Sequence, residues 1–159
     1  MTTTTFTSRN QVQNAINVAS EALAGQRDKA GQPLWHHAAD MANMLLRTGQ
    51  GKLAAVVAAL HDVLEDSTVT PEALREAIAY PTTHLNEALV VSLVKTLTRR
   101  GEETYKEYIL RIKNSHPVAI AVKVADLQHH LADTTAIPDS LVVRYEKALD
   151  LFNPTGELT

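Results

Sequence analysis

The stretch LHDVLEDST, residues 60–68, sets His61, Asp62, Glu65 and Asp66 directly behind the apolar run KLAAVVAA. Imidazoles and carboxylates together can ligate a divalent cation or exchange protons with a reacting group. Read as one helix turning about 100° per residue, Asp62 lies about 100° from His61, Glu65 about 40° and Asp66 about 140°. The four groups then share one arc, in the i,i+4 pairs His61/Glu65 and Asp62/Asp66, while Leu53, Val56, Val57 and Leu60 face the core. Carboxylates beside a buried helix are costly unless paired or bound to a cation, and a divalent metal would meet that need. The competing reading is a helix whose C-terminal end simply emerges into solvent.

A metal needs ligands from elsewhere in the chain. His36 and His37 stand at the start of another helix, just after a loop, and Asp126 interrupts the apolar run VAIAVKVADL. Three helices, each offering a metal-capable group near the core, can build a site inside a bundle. With no cysteine in the chain, neither a disulfide nor a thiolate site can form, so His and carboxylate ligands would select a harder divalent ion.

The elements that must position these groups are helical. Val12, Ala15, Ile16, Ala19, Ala22 and Leu23 follow helical spacing up to Gly25, and a loop over QRDKAGQP contains Gly31 and Pro33. Further helices are predicted over about 34–48 and about 52–66, the latter apolar almost all round, as a helix in the middle of a bundle would be. TPEALREAIA opens with Thr70 as N-cap and Pro71 at the first helical position. Leu85, Ala88, Leu89, Leu93 and Val94 mark a fifth helix, and Tyr105, Tyr108, Ile109 and Ile112 a sixth. A seventh is predicted over about 117–133 and an eighth near 138–152, with Leu141, Tyr145, Ala148, Leu149 and Phe152 inward. No strand alternation, repeat or linker interrupts them. The expectation is one all-α domain over residues 1–159, a bundle of about eight helices with its core at about 8–152 and polar tails.

The composition excludes several classes of function. A net charge of −3 and a pI near 6.1 argue against a dedicated nucleic-acid binder. The N-terminus lacks the apolar stretch of a secretory signal, and the run Leu53 to Leu60 is too short to cross a bilayer, so a cytoplasmic protein is expected. The sequence leaves a homo-oligomer open.

The segments GQRDKAGQPLWHHAADMA, ALHDVLEDSTVTPEAL, LTRRGEETYKEYILRI and VKVADLQHHL, in this order over roughly residues 25–150, resemble the HD-domain phosphohydrolase superfamily. Their local context is similar to the Rel/Spo-type branch, which includes the small (p)ppGpp hydrolases. By position, the resemblance implies His37, His61, Asp62 and Asp126 as metal ligands, with manganese as the usual ion. His37 is preferred to His36 because the family histidine lies four residues after the loop proline, here Pro33. Glu65 and Asp66 match the acidic pair that orients and activates the attacking water. The implied reaction removes the 3′-pyrophosphate of a guanosine nucleotide, and with no synthetase-like second domain the chain is expected only to degrade.

Such a reaction needs charge neutralisation as well as a base. Arg27 and Lys29 in the loop before His37, Lys123 beside Asp126, and Arg144 are the expected phosphate contacts, with Arg99, Arg100 and Arg111 as further candidates. Tyr105 and Tyr108 are expected in the core or a pocket wall, and His84 and His116 at the surface. Of His129 and His130, one is expected to support the ligands and the other to be exposed. The chain departs from the family pattern at Leu23, at Pro33-Leu34-Trp35 and at His130, all where a base or sugar could bind. These departures keep two alternatives open: a hydrolase of other nucleoside mono- or triphosphates, and a nucleotide-binding regulator with an inactive site.

Overall fold

Apolar residues recurring every three or four positions have only one way to leave water together, which is to face one another across packed helices. The computed structural model describes residues 8–79 and 85–153, and there the chain folds into nine helical segments. They are α1 (Ser8–Ala22), α2 (Leu34–Arg47), α3 (Lys52–Leu60), α4 (Val63–Asp66), α5 (Pro71–Ala79), α6 (Glu87–Leu97), α7 (Tyr105–Lys113), α8 (Pro117–Ala132) and α9 (Asp139–Phe152). Among the described residues the only extended pairing is an isolated bridge between Arg27 and Pro33. The polar tails and His84 lie outside the described residues.

The centre is α3, which packs against α1, α2, α6 and α8. Every residue from Ala54 to Leu60 is buried, as its all-round apolar character requires. Small alanines at 54, 55, 58 and 59 let neighbouring helices approach closely, while Val12 and Ile16 of α1, Met41 and Leu45 of α2 and Val122 and Leu127 of α8 fill the space between.

Local signals set the ends. Thr70 Oγ1 accepts from the Ala73 N–H at 3.1 Å, the cap expected before Pro71. Thr104 and Glu107 form a reciprocal capping box at the start of α7. Gly25 follows α1 with a φ of 81°, a conformation open to glycine without steric cost.

The helix order departs from expectation at one place. The helix expected over 52–66 divides at His61 and Asp62 into α3 and α4. Both the N–H and the Nδ1–H of His61 turn to the carbonyl of Ala58, at 3.4 and 2.6 Å. That carbonyl would otherwise take the Asp62 N–H in a continuous α-helix. The helical ladder therefore tightens and stops, and it resumes with the bond from Asp66 N–H to the Asp62 carbonyl at 2.9 Å.

Candidate metal centre

Three helices deliver the central groups. His37 sits in the first turn of α2, His61 and Asp62 occupy the break between α3 and α4, and Asp126 lies within α8. His37 Nε2 is 2.8 Å from Asp126 Oδ1, and His61 Nε2 is 3.6 Å from the same oxygen and 3.2 Å from Asp62 Oδ1. One ligand atom from each of His37, His61 and Asp126 falls within 4.8 Å of the others, and all three residues are buried. Asp62 joins this group through His61 and is half-buried at its edge.

The protons on these groups decide whether a cation fits. His61 donates Nδ1–H to the Ala58 carbonyl, which leaves Nε2 as the lone pair facing Asp62 and Asp126. The Nδ1 atoms of His37 and His129 are 2.8 Å apart, so one of them carries the proton between them. With that proton on His37, its Nε2 is also a lone pair aimed at a carboxylate oxygen. Neutral imidazole lone pairs and carboxylate oxygens at these separations need a positive charge among them, either protons or a cation. Burial opposes a charged His61, but Asp62 and then Asp126 outweigh it and raise the imidazole to about 9. Burial alone would raise Asp126 too. Lys123 and the imidazoles of His130, His37 and His61 instead hold it well below the usual carboxylate range. Two imidazole nitrogens with flanking carboxylate oxygens, and no sulfur, suit a divalent cation.

Around this group opens a cleft of about 400 Å³, whose lining includes Lys29, His37, Asp62, Asp66 and Tyr145. Asp66 and Glu65 are exposed at the end of α4. Enclosure by neighbouring atoms first, then the charge of Asp62, raises both carboxyls above their ordinary values. The charge of Lys123 and the backbone of Arg99 act in the opposite direction on Glu65. Gln26 Nε2 donates to the Asp66 carbonyl at 2.5 Å, tying the loop before α2 to the end of α4.

The expected phosphate contacts take different positions. Lys29 lines the cleft. Lys123 is buried, with Nζ 2.7 Å from Asp126 Oδ2 and 5.1 Å from the Tyr108 ring centre, so its charge is spent on the Asp126 carboxylate. Arg27 donates to the Gly31 carbonyl at 2.7 Å and serves its own loop. Arg144 is exposed on α9, lies over the Tyr105 ring at 5.0 Å, and lines another groove with Lys106 and Val143.

Both His129 and His130 belong to the cluster, where one alone was expected. His129 meets His37, while His130 Nε2 is 3.2 Å from Asp126 Oδ1 and its ring stacks on Tyr145 at 5.3 Å. Residues three and four after Asp126 lie on its face of α8, so both had the spacing to reach it. The cleft role of Tyr145 carried no sequence signal, because an inward aromatic at helical spacing reads as core. His36 is exposed beside Trp35, and exposed His116 caps α8, accepting from the Val118 N–H at 3.1 Å.

Comparison with known proteins places the chain in a family. Residues 15–140 match the family model described as HD domain. A probable GTP pyrophosphokinase of Mycobacterium leprae is 31% identical over 128 residues, which is 80% of this chain and 16% of the relative. A guanosine-3′,5′-bis(diphosphate) 3′-pyrophosphohydrolase of Aquifex aeolicus is 28% identical over 117 residues, 73% of this chain and 16% of the relative. The chain thus spans about a sixth of the length of these curated relatives. Among solved structures, a metazoan orthologue of SpoT described as hydrolysing ppGpp shares the fold, with a TM-score of 0.71 and 21% identity over 88% of this chain and 84% of that one.

Proposed function

Because the chain belongs to the HD domain family, we propose that it is a metal-dependent phosphohydrolase that removes the 3′-pyrophosphate from (p)ppGpp. The observation that carries this reading is the meeting of His37 Nε2, His61 Nε2 and Asp126 Oδ1 within 4.8 Å beside a cleft of nucleotide dimensions. The relatives named for guanosine polyphosphate chemistry supply the substrate class.

His37, His61, Asp62 and Asp126 would hold the ion, with Mn²⁺ as the first candidate. When bound, it supplies charge neutralisation and Lewis-acid polarisation at a phosphoryl group. His61 is fixed in the ligating tautomer by Ala58, and Lys123 orients Asp126 from behind. Asp66 lines the cleft, Glu65 precedes it on α4, and both have raised proton affinity, which suits a carboxylate that must accept a proton from water. Lys29, on the wall of the cleft, is placed to meet a phosphate, while Leu34 and Tyr145 offer apolar surface to a base.

The test is incubation of metal-free protein with Mn²⁺ and a panel of ppGpp, GTP, deoxynucleoside triphosphates and nucleoside monophosphates, beside Asp62→Ala. Pyrophosphate release from ppGpp alone, lost in the variant, is the expected result. Release from many nucleotides would replace the substrate assignment, and binding without turnover would replace hydrolysis with regulation.

A further inference from the structure

We propose that the groove between α5, α6 and residues 98–100 is a second anion site, taking a phosphorylated small molecule of the nucleoside phosphate kind. This groove measures about 730 Å³, against about 400 Å³ for the metal cleft, and the two share no lining residue. Five basic side chains line it, Arg75, Lys95, Arg99, Arg100 and Arg111, against the single carboxylate of Glu72. That concentration stands out in a chain whose net charge is −3.

The cations differ in how they are compensated. Arg111 is committed to Glu103 and to the carbonyls of Thr96 and Thr98. Arg99 donates to the Glu103 carbonyl, a neutral acceptor that leaves its charge in place. Arg100 lies close enough to Glu103 for its charge to help lower that carboxyl, whereas among the described residues no carboxylate pairs with the side chains of Arg75 or Lys95. Four cations around one concavity repel one another, and a polyanion relieves that repulsion at several contacts together. The groove also has apolar walls in Leu64, Val69 and Val91. An open groove with an apolar wall and a basic rim suits a ligand with a flat organic part and a charged tail, and its volume is that of a small molecule. Leu64 precedes Glu65 on α4, so an occupant would touch the element that carries the proposed base.

The test uses the full chain in excess chelator, which keeps it independent of the metal cleft. GDP and inorganic pyrophosphate are titrated calorimetrically into the wild type, Arg75→Gln/Lys95→Gln, Lys95→Glu and the cleft variant Lys29→Gln, after circular dichroism confirms folding. Both probes should bind the wild type, and the groove variants should weaken binding at least about tenfold, the scale of losing charge-assisted contacts. Lys29→Gln, which acts in the metal cleft, should leave the binding component lost in the groove variants in place. Equal affinities assign the site to phosphate itself, and tighter GDP assigns it to a nucleotide. No binding by the wild type, wild-type affinity in both groove variants, or loss confined to Lys29→Gln would overturn the proposal.

Discussion

Lys123 and Asp126 form a buried ion pair one turn apart on α8, with Nζ 2.7 Å from Oδ2, and the other oxygen of the same carboxylate faces three imidazoles. Removing one partner of a buried pair leaves an uncompensated charge, at a typical cost of about 3–5 kcal/mol. The imidazoles around Oδ1 compensate part of it, so Lys123→Met should lower stability by about 3 kcal/mol. Urea unfolding of the metal-free protein measures this. A loss below about 1 kcal/mol would show that the imidazoles alone balance Asp126.

Glu65 and Asp62 should separate by role. Asp62 touches His61 Nε2, whereas Glu65 is exposed near the end of α4. Glu65→Ala should keep Mn²⁺ affinity near that of the wild type while reducing turnover at least about a hundredfold, the usual contribution of a positioned acid or base. Asp62→Ala should reduce both. Metal titration with parallel rate measurements distinguishes them, and loss of the metal from Glu65→Ala would reverse the assignment.

Much of this arrangement was legible because its chemistry is costly out of place. Asp126 in an apolar run and HD at the end of the greasiest helix both announce compensation by something else. The helix order was legible from apolar spacing and from Thr70, Pro71 and the glycines. The break at His61 was not, because it depends on a side chain competing for the Ala58 carbonyl, which periodicity does not record. Lys123 and Arg144 read alike as basic residues near the site. Their separation into a buried partner and an exposed cation follows from helix rotation and from which aromatic each covers.

Glu103 and Arg111 give the pH dependence that sequence could not supply. Arg111 Nη2 donates to Glu103 Oε2 at 3.0 Å and Nε donates to Oε1, a two-point pairing that also reaches the carbonyls of Thr96 and Thr98 at the end of α6. The hydrogen bonds from Arg111 lower the Glu103 carboxyl to about 2. A carboxylate held below its unfolded value stabilises the fold above that unfolded value, and the contribution is lost as pH falls through the folded one. Wild-type stability should therefore decline between about pH 4.5 and pH 2 through this group. Glu103→Gln should flatten that part of the curve by lowering stability at neutral pH towards the value the two proteins share near pH 2. Identical acid slopes in thermal melts of the two proteins would refute it.

His130 provides the sharpest check on the metal centre, because its readout is independent of turnover. Its Nε2 lies 3.2 Å from Asp126 Oδ1 and its ring stacks between His37, at 4.4 Å, and Tyr145. Groups that orient metal ligands from behind typically change affinity by about 10- to 100-fold when removed. His130→Ala should weaken Mn²⁺ binding on that scale, and His129→Ala should do so by freeing His37 Nδ1. At a free ion concentration about 100 times the dissociation constant, binding stabilises a fold by about 2.7 kcal/mol. Saturating Mn²⁺ should thus raise the wild-type melting temperature, and chelator should reverse the rise. His61→Ala should show none of it, while the two histidine variants should need more ion for the same increase. A melting temperature in the wild type that ignores both Mn²⁺ and chelator would mean that protons, not a cation, hold His37, His61 and Asp126 together.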